Sequence, residues 1–552
     1  MPNEFFAELI ENIKKANPSK NSIGRLKQEL CKKYHIAQPP TDIEILTNAD
    51  EKDLSVLKKL LLTKPTRTIS GVAVIALMTK PFPCPHGKCI YCPGGVKSAL
   101  GNVPQSYTGH EPATLRAIRA NYDPYIIVFN RLEQYIVAGH SPEKIEMIIM
   151  GGTFLSFPKK YQEDFITYSY KALNDFSREF YPCGKFDFVK FKKFFELPGK
   201  VGDEKRTVKI QKKILKLKKK STLEKEKLRN EKAKTRCVAL CIETRPDWCK
   251  HKHINEMLRF GATRVELGVQ NLSEKILKEI NRGHTVADII EATQLMKDAL
   301  LKVGYHMMPG LPGVSREQDI DNFRQLFSNP DFKPDALKIY PCMVFKGTKL
   351  YTMWKKGWYK PLTTDEAADI ISEAKRFVPK YCRIMRVNRD IPTKISSAGI
   401  GNTNLRQTVD EYLRMKGIKC KCIRCREPKG KNIDLKSLKI LVEKYAASGG
   451  IEYFISAEDV KNDILVGFCR LRIKDGKAGV RELHVYSQAL PLGGSGSLQH
   501  RGIGTSLMKE AEKIAKANKC KKISVISGVG VREYYKKKLR YKNDGFYVSK
   551  RI

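Results

Sequence analysis

Nine residues, Cys84-Pro-His-Gly-Lys-Cys89-Ile-Tyr-Cys92, restrict this chain more than any other stretch. They place three thiols in the pattern C-x4-C-x2-C, closed by Pro93-Gly94-Gly95. Three cysteines do not complete the tetrahedral shell of a structural zinc without a further ligand. They can hold three irons of a [4Fe–4S] cube and leave the fourth iron open to a substrate. His86 offers a fourth zinc ligand, so a zinc knuckle is the alternative. The preceding run, GVAVIALM (71–78), favours the cluster, because it reads as a β-strand. A loop leaving the end of a barrel strand is where an active-site group sits.

At 552 residues the chain is too long for one core, and two or three domains are expected. The formal net charge is +43, from 102 basic and 59 acidic residues, which favours a polyanionic partner, nucleic acid first. No apolar run approaches the length needed to span a bilayer. MPNEFFAELIENIKK reads as an amphipathic helix and not as a signal peptide. A cytoplasmic protein that does not enter membranes is the expectation. Of the fifteen cysteines, six lie in two tight clusters, and the rest show no disulfide framework.

Residues 1–65 carry apolar residues at helical spacing with lysines on the other face. Such helices can cap the next domain or clamp an RNA backbone. From 66 to 390, strand-like and helix-like segments alternate, as in a partial (βα)6 barrel. The strands expected are 71–78, 144–150, 237–244, 263–270, 302–308 and 336–341. Residues 200–236 interrupt the alternation with sixteen Lys/Arg against five Asp/Glu. A solvated or disordered insertion is the plain reading; a basic helix in contact with RNA is the other. Residues 391–430 form a bridge holding Cys420, Cys422 and Cys425. That density points to a structural zinc, with Cys342, Cys382 or His251 as candidate fourth ligand. From 431 to 552 the expected order is a helix (436–447), strands (464–472, 480–488), a helix (504–517), a strand (521–527) and a final helix.

Three glycine or charge motifs stand at strand ends. Gly151 and Gly152 follow the strand 144–150, where glycine lets a ligand approach the backbone. Glu243 and Arg245 end the next strand and Gln270 the one after, so that they converge on a barrel mouth. A salt bridge at the strand end is the structural alternative for each. Further on, Gln499-His-Arg501-Gly502-Ile503-Gly504-Thr505 opens a helix and would aim backbone N–H groups at a pyrophosphate.

CPHGKCIYCPGG resembles the radical S-adenosylmethionine (SAM) enzymes, specifically the family of the Elongator catalytic subunit and its archaeal relatives. The usual superfamily spacing is C-x3-C-x2-C; the first gap here departs from it, and that of the Elongator family is also unusual. YTGHEPATLRAIRANYDPY, HSPEKIEMIIMGGTFLSFPKKY, ETRPD, NRGHTV, HMMPGLPG, ELHVYS, RGIGTSLM and KKISVISGVGVREYYKKKLRY extend the resemblance over nearly the whole chain. It implies an α/β protein: a partial radical SAM barrel, a GCN5-related acetyltransferase-like domain and a basic helical N-terminal segment. It also implies a [4Fe–4S] cluster on Cys84, Cys89 and Cys92, with SAM held by Gly151, Gly152, Glu243, Arg245 and Gln270. Acetyl-CoA would lie on Glu482, Leu483, His484, Val485 and the loop from Gln499 to Thr505, with Lys144 reaching it from the barrel. Tyr535 would meet the thioester sulfur, with Tyr534 beside it. The activity implied is formation of 5-carboxymethyluridine at the wobble position of a tRNA anticodon stem-loop, by an acyltransferase-class enzyme. Accessory Elongator-type subunits are not readable from the residues, and a homodimer is left open. The competing reading is a protein lysine acetyltransferase, with Glu482 as base and the iron–sulfur domain as scaffold. The positive charge disfavours basic protein tails as its substrates.

Overall fold

A computed structural model describes residues 3–16, 18–65, 68, 70–199, 202–402, 404–486 and 502–552. The leading helices, Asn3–Ala16, Lys20–Lys33, Asp42–Asn48 and Leu54–Leu61, bury one stripe each, including Phe5, Leu9, Ile13, Ile23, Leu30, Leu57 and Leu61. Those side chains join the core of the first sheet.

That sheet is parallel and open. Its strands are β1 (Ala73–Met78) and, after a small hairpin of β2 (Gly95–Ser98) and β3 (Gly101–Val103), β4 (Lys144–Met150), β5 (Arg236–Thr244), β6 (Arg264–Gln270), β7 (Lys302–Met307), β8 (Ala336–Ile339) and β9 (Arg383–Val387). Their order is β1-β4-β5-β6-β7-β8-β9, each paired with the next in parallel. The result is a half-barrel of seven strands, one more than the six expected. The extra strand, β9, is five residues at the sheet edge with two arginines, so it carries no apolar alternation.

The basic stretch 200–236 is not a disordered insertion. It folds as helices Glu204–Leu217 and Leu223–Lys232, N-capped by Asp203 and Thr222. Ile210, Ile214 and Leu223 are buried, and buried Asn230 donates to the Asn174 side chain at 2.7 Å. Exposed lysines such as Lys212, Lys216 and Lys219 face outward. Its last residue, Arg236, already belongs to β5.

The second sheet is mixed: β10 (Leu438–Ala447), β11 (Gly450–Asp459), β12 (Ile464–Lys474), β13 (Lys477–Val485), β14 (Lys522–Val525), β15 (Lys542–Asp544) and β16 (Tyr547–Arg551), ordered β10-β11-β12-β13-β14-β16-β15. Helices Ile503–Ala517 and Arg532–Leu539 flank it. The helix expected at 436–447 is therefore a strand, and β11 and the β15–β16 hairpin are additions. Ser448 and Gly449, at φ 48° and 69°, make the two-residue turn that pairs β10 with β11. Tyr445 on β10 stacks on Tyr381 at 4.0 Å, outside the second sheet.

The second sheet docks on the N-terminal ends of the half-barrel strands. Arg481 on β13 donates to both oxygens of Asp335, just before β8, and to Leu301 O, just before β7. Glu482 pairs with Lys302, the first residue of β7. Arg383, the first of β9, donates to the Tyr486 hydroxyl at 2.8 Å. Gly528 and Gly530 press on β5 so closely that a Cβ on either would overlap Val238 or the Arg236–Cys237 backbone and side chain. The glycines of the GVG motif thus serve the contact between the two sheets.

Candidate active site

The three cysteines sit at the opposite, C-terminal end of the half-barrel strands. Cys89 and Cys92 are buried and Cys84 half-buried. Their loop is pinned from both sides: Ile90 N–H donates to Ile280 O at 3.2 Å, and Leu350 N–H donates to Ile90 O at 3.0 Å. Ser106 N–H donates to Cys92 Sγ at 3.2 Å, and Arg282 Nη1 lies 3.7 Å from Cys89 Sγ. His86 Nε2 is 3.2 Å from the same sulfur. Burial raises the Cys84 thiol and pushes Cys92 up to about 11. Thiolates here need a compensating cation, and the nearby Arg282 supplies part of that charge.

The spacing of sulfurs separates the two cysteine sets. Cys420, Cys422 and Cys425 bring their sulfurs within 4.8 Å of one another, as a single tetrahedral ion requires. Among the described residues, Cys84, Cys89, Cys92 and His86 form no such group. A wider set of three thiols suits a polynuclear cluster better than one zinc. Of the suggested fourth ligands, Cys382 adjoins the tight set: Ile423 N–H donates to its carbonyl at 3.0 Å, and the Cys422 charge acts on its thiol. Neither His251, Cys342 nor Cys382 completes the group within that distance.

Gly151 and Gly152 follow β4 at φ 124° and 97°, both reserved for glycine. A Cβ on Gly151 would overlap the Thr79 hydroxyl, and one on Gly152 would stand 3.9 Å from Cys84 Sγ. The strand ends named from sequence meet here. Arg245 is held by Asp247 at 2.9 and 2.7 Å and by Gly283 O at 2.7 Å. Its Nη1 has no partner among the described residues, nor do Oε1 of Gln270 and Oε1 of Gln105. These orphaned buried groups at one mouth fit a polar ligand that carries a carboxylate and hydroxyls. Glu243, by contrast, is already engaged, by Lys338 at 2.7 Å and the Tyr107 hydroxyl at 2.9 Å.

Glu243 is one end of a charged column inside the half-barrel. Lys338 bridges Glu243 and Glu266; His306 stands 3.0 Å from Glu266; Arg264 pairs with Glu266 at 3.2 Å and with Glu146 at 2.8 Å. The ligand atoms of Glu243, Glu266 and His306 fall within 4.8 Å, but Lys338, which bridges the two carboxylates, and Arg264 on Glu266 already balance their charge. Lys338, His306 and Arg264 were not singled out from sequence; the signal was polar residues interrupting otherwise apolar strands. Lys144, Glu146, Ile148 and Met150 alternate on the half-buried face of β4, so Lys144 looks into the same lumen. It starts the strand that Gly151 ends. At about 3.3 Å per residue, roughly 20 Å of lumen separates them.

On the second sheet, β13 and β14 pair only from Ala478 to Val480 and then diverge. Glu482, Leu483, His484 and Val485 therefore keep an open backbone edge toward β14. Gly502, at φ 83°, starts the helix Ile503–Ala517, whose first turn carries Gly504 and Thr505. Gln499 and Arg501 lie outside the described residues. A Cβ on Gly504 would come 3.1 Å from the Tyr534 hydroxyl, which also interacts with Thr505. Tyr535 instead is 5 % exposed and packs in the core of the second sheet against Tyr541. Tyr534 thus faces the helix start, while Tyr535, the residue expected at the thioester, lies in the core. His484 packs against the tilted ring of Tyr486 at 4.4 Å and stacks on Phe468 at 5.8 Å, and burial keeps it neutral by lowering it to about 4.

The fold and these two half-sites define a radical SAM half-barrel joined to an acetyltransferase-type sheet. Family descriptions match accordingly: ELP3 N-terminal domain at 3–69, Radical SAM superfamily at 198–326, Radical_SAM C-terminal domain at 334–415 and Acetyltransferase (GNAT) family at 426–540. The chain is 47% identical over 553 residues to the tRNA uridine(34) acetyltransferase of Methanocaldococcus infernus, covering 97% of this chain and 96% of that protein. It is 40% identical to Elongator complex protein 3 of Saccharomyces cerevisiae, covering 99% and 94%. The solved archaeal Methanocaldococcus infernus Elp3 with an N-terminal deletion (1-46) superposes with TM-score 0.71 at 42% identity, over 88% of this chain and 100% of that one. The chain belongs to the Elongator complex protein 3 family. Among the described residues no helix is long and apolar enough to cross a membrane.

Proposed function

We propose that this chain is a tRNA-modifying enzyme that forms 5-carboxymethyluridine at the anticodon wobble position from acetyl-CoA, in the cytoplasm. The observation that carries this reading is that one chain joins the cysteine mouth at Gly151 and Gly152 to a second sheet whose backbone edge is open beyond Val480. A [4Fe–4S] cluster bound with SAM at Cys84, Cys89 and Cys92 supplies one electron and a hydrogen-abstracting radical. The chain's own residues position the reactants. Gly151 and Gly152 admit the SAM methionine, Arg245 meets its carboxylate, and Gln270 and the Glu243–Tyr107 pair meet its ribose. The open edge at Glu482–Val485 takes the pantetheine and acetyl amides. The helix start at Gly502–Thr505, with Gln499 and Arg501 before it, takes the pyrophosphate. Tyr534 stands where its hydroxyl can donate to the thioester sulfur, and Tyr535 supports it from the core. Lys144 draws the acetyl end toward the lumen, where the walls exclude water. Cys420, Cys422 and Cys425 hold a zinc that stabilises the bridge. The tRNA anticodon stem-loop is drawn by the basic surface.

The lysine acetyltransferase reading needs Glu482 free to take a proton. Glu482 is pinned by Lys302 and by Arg470 at 2.9 Å, and these cations, the Lys302 ammonium first, hold it down at about 2 despite its burial. A carboxylate so stabilised is a poor base. The test is anaerobic reconstitution with tRNA, SAM and acetyl-CoA, followed by nucleoside and peptide mass analysis. Carboxymethylated uridine is expected; acetyl-lysine in its place would overturn the proposal.

A further inference from the structure

We propose that Trp358 is a stacking platform for an unpaired base of the tRNA anticodon loop, a neighbour of the uridine that enters the cysteine mouth. The inference rests on reading tRNA as the substrate. Two of the chain's three tryptophans, Trp354 and Trp358, stand at the end of the helix Lys349–Lys355. Their environments differ. Trp354 is half-buried and packs against the core of the first sheet, 5.7 Å from the ring of Tyr351. Trp358 is 70 % exposed, and the Lys356 ammonium lies over its ring at 4.5 Å.

The exposed ring is held by a fixed backbone. Trp358 N–H donates to Met353 O at 2.9 Å and Gly357 N–H to Trp354 O at 3.0 Å, with Gly357 at φ 74°, a helix ending that glycine favours. At the start of the helix, Leu350 N–H donates to Ile90 O in the cysteine loop. Beyond Trp358, buried Tyr359 donates its hydroxyl to Gly310 O at 2.7 Å, on the loop after β7, and a Cβ on Gly310 would overlap Leu362. Both anchors are loops at the C-terminal end of the half-barrel strands, so Trp358 stands on the rim around the cysteine mouth. From 336 to 364 the chain holds six lysines and no carboxylate. Lys346, Lys349, Lys355, Lys356 and Lys360 are exposed, and none forms an ion pair among the described residues. Lysines alone would draw any polyanion; the ring is what asks for a free base. Its exposed flanking residues, Lys355, Lys356, Gly357 and Lys360, do not extend it into an apolar patch of the kind a protein partner covers. An aromatic face among unpaired ammonium groups is how single-stranded nucleic acid is held: the base stacks on the ring and the cations meet the backbone. In a stem the bases stack on one another and offer no free face, so the ring selects the loop.

The test compares the wild-type chain with Trp358→Ala and Trp358→Phe, on a synthetic tRNA anticodon stem-loop and on a blunt RNA duplex of the same stem sequence. Affinity is measured by fluorescence anisotropy across a salt series. Trp358→Ala should bind the stem-loop about tenfold more weakly, the size of one lost base stack. The slope of log affinity against log salt should not change, because no phosphate contact is removed. Affinity for the duplex should be unchanged, and Trp358→Phe, which keeps a ring, should recover most of the loss. Iron content and melting temperature should match the wild type, since the side chain is exposed. Unchanged stem-loop affinity in Trp358→Ala would overturn the proposal and leave the ring to a protein partner. Equal losses on stem-loop and duplex would also overturn it, since the contact would then be to the backbone. A wild-type chain that binds the stem-loop without carboxymethylating its uridine would refute the proposed reaction and not the stacking; one with no affinity for it would overturn both.

Discussion

Arg481 on the acetyltransferase-type sheet closes on both carboxylate oxygens of Asp335 at the foot of the half-barrel, at 2.8 and 2.6 Å, with both side chains fully buried. Glu452 takes the remaining face of Arg481 at 3.0 Å and also pairs with Arg472, which reaches across to Asp298. The two sheets are thus joined through Arg481, Asp335, Glu452 and Arg472, which are shielded from water, with half-buried Asp298 at the edge of the network. A two-half-site enzyme needs a fixed distance between its halves, and this network supplies it.

Removing one partner strands the others without solvation. Asp335→Asn should destabilise the chain by about 3–5 kcal/mol, the usual cost of breaking a buried pair from one side. Replacing Arg481 and Asp335 together by apolar residues should cost less than the sum of the single changes. Denaturant titration of the single and double variants checks this; strict additivity would show that the pair does not act as a unit.

Glu482 gives the joint a pH dependence. Its carboxyl titrates at about 2 in the folded chain against an ordinary value of 4.5. Its contribution to stability is therefore complete above about pH 4.5 and is lost as pH falls toward 2. Glu482→Gln should remove that part of the acid decline while lowering stability at pH 7. Melting curves from pH 7 to pH 3 test it, and parallel curves for the two proteins would refute the assignment.

Much of the half-barrel was legible because parallel strands buried on both faces read as apolar runs ending in punctuated loops. The cysteine loop and Gly151–Gly152 were legible because few structures tolerate such residues in that order. The lumen was not: Arg264 and Glu266 lie on β6, His306 on β7 and Lys338 on β8, and only the sheet brings them together. β10 was misread because LKILVEKYAA has helix-like spacing, while its pairing is set by Ser448–Gly449 and by β11 across the turn. Tyr534 and Tyr535 differ by a single helical step of about 100°, and sequence does not fix the phase of the helix that starts at Arg532.

The two metal sets should separate by analysis. Replacing Cys420, Cys422 and Cys425 by alanine should remove one zinc per chain and lower the melting temperature, with iron retained, because structural zinc contributes folding energy. Replacing Cys84, Cys89 and Cys92 should do the reverse, losing iron and keeping zinc. Elemental analysis decides it; no zinc in the wild-type chain would end the assignment.

Binding of tRNA should fall linearly in log affinity with log salt. The exposed lysines on and just after the helix Glu204–Leu217 are proposed to meet its phosphates. Lys212→Glu, Lys216→Glu and Lys219→Glu together should weaken binding and reduce the salt slope by about one for each phosphate left without its lysine. The fold should persist, since Ile210 and Ile214 remain buried. An unchanged slope would move the RNA surface to the N-terminal helices or the barrel rim.

The two tyrosines offer a direct comparison. Tyr534→Phe removes the hydroxyl that faces Thr505 and should reduce tRNA-dependent acetyl-CoA hydrolysis by about tenfold or more, the size of one lost hydrogen bond to a developing charge. Tyr535→Phe should change turnover less, because its ring stays in the core. A larger effect from Tyr535→Phe would restore the order expected from sequence.

The most demanding prediction concerns the lumen between Lys144 and Gly151. Hydrogen abstraction works only near contact, so the acetyl methyl must come up from the second sheet to the cysteine mouth, along the face of β4 that carries Lys144, Glu146, Ile148 and Met150. Burial lowers the Lys144 ammonium from its ordinary value, with Glu143 opposing the shift, so a ligand carbonyl or phosphate would regain part of its lost solvation. Lys144→Ala should cut acetyl-CoA hydrolysis by about tenfold or more, without loss of iron or of SAM cleavage. Ile148→Trp, which fills the lumen midway, should leave SAM cleavage and acetyl-CoA binding measurable but abolish carboxymethylation. Iron content, SAM cleavage products, acetyl-CoA affinity and modified nucleoside are measured on both variants. Carboxymethylation at the wild-type rate in Ile148→Trp would mean that the acetyl group reaches the radical by another route, and the lumen would then be a structural core only.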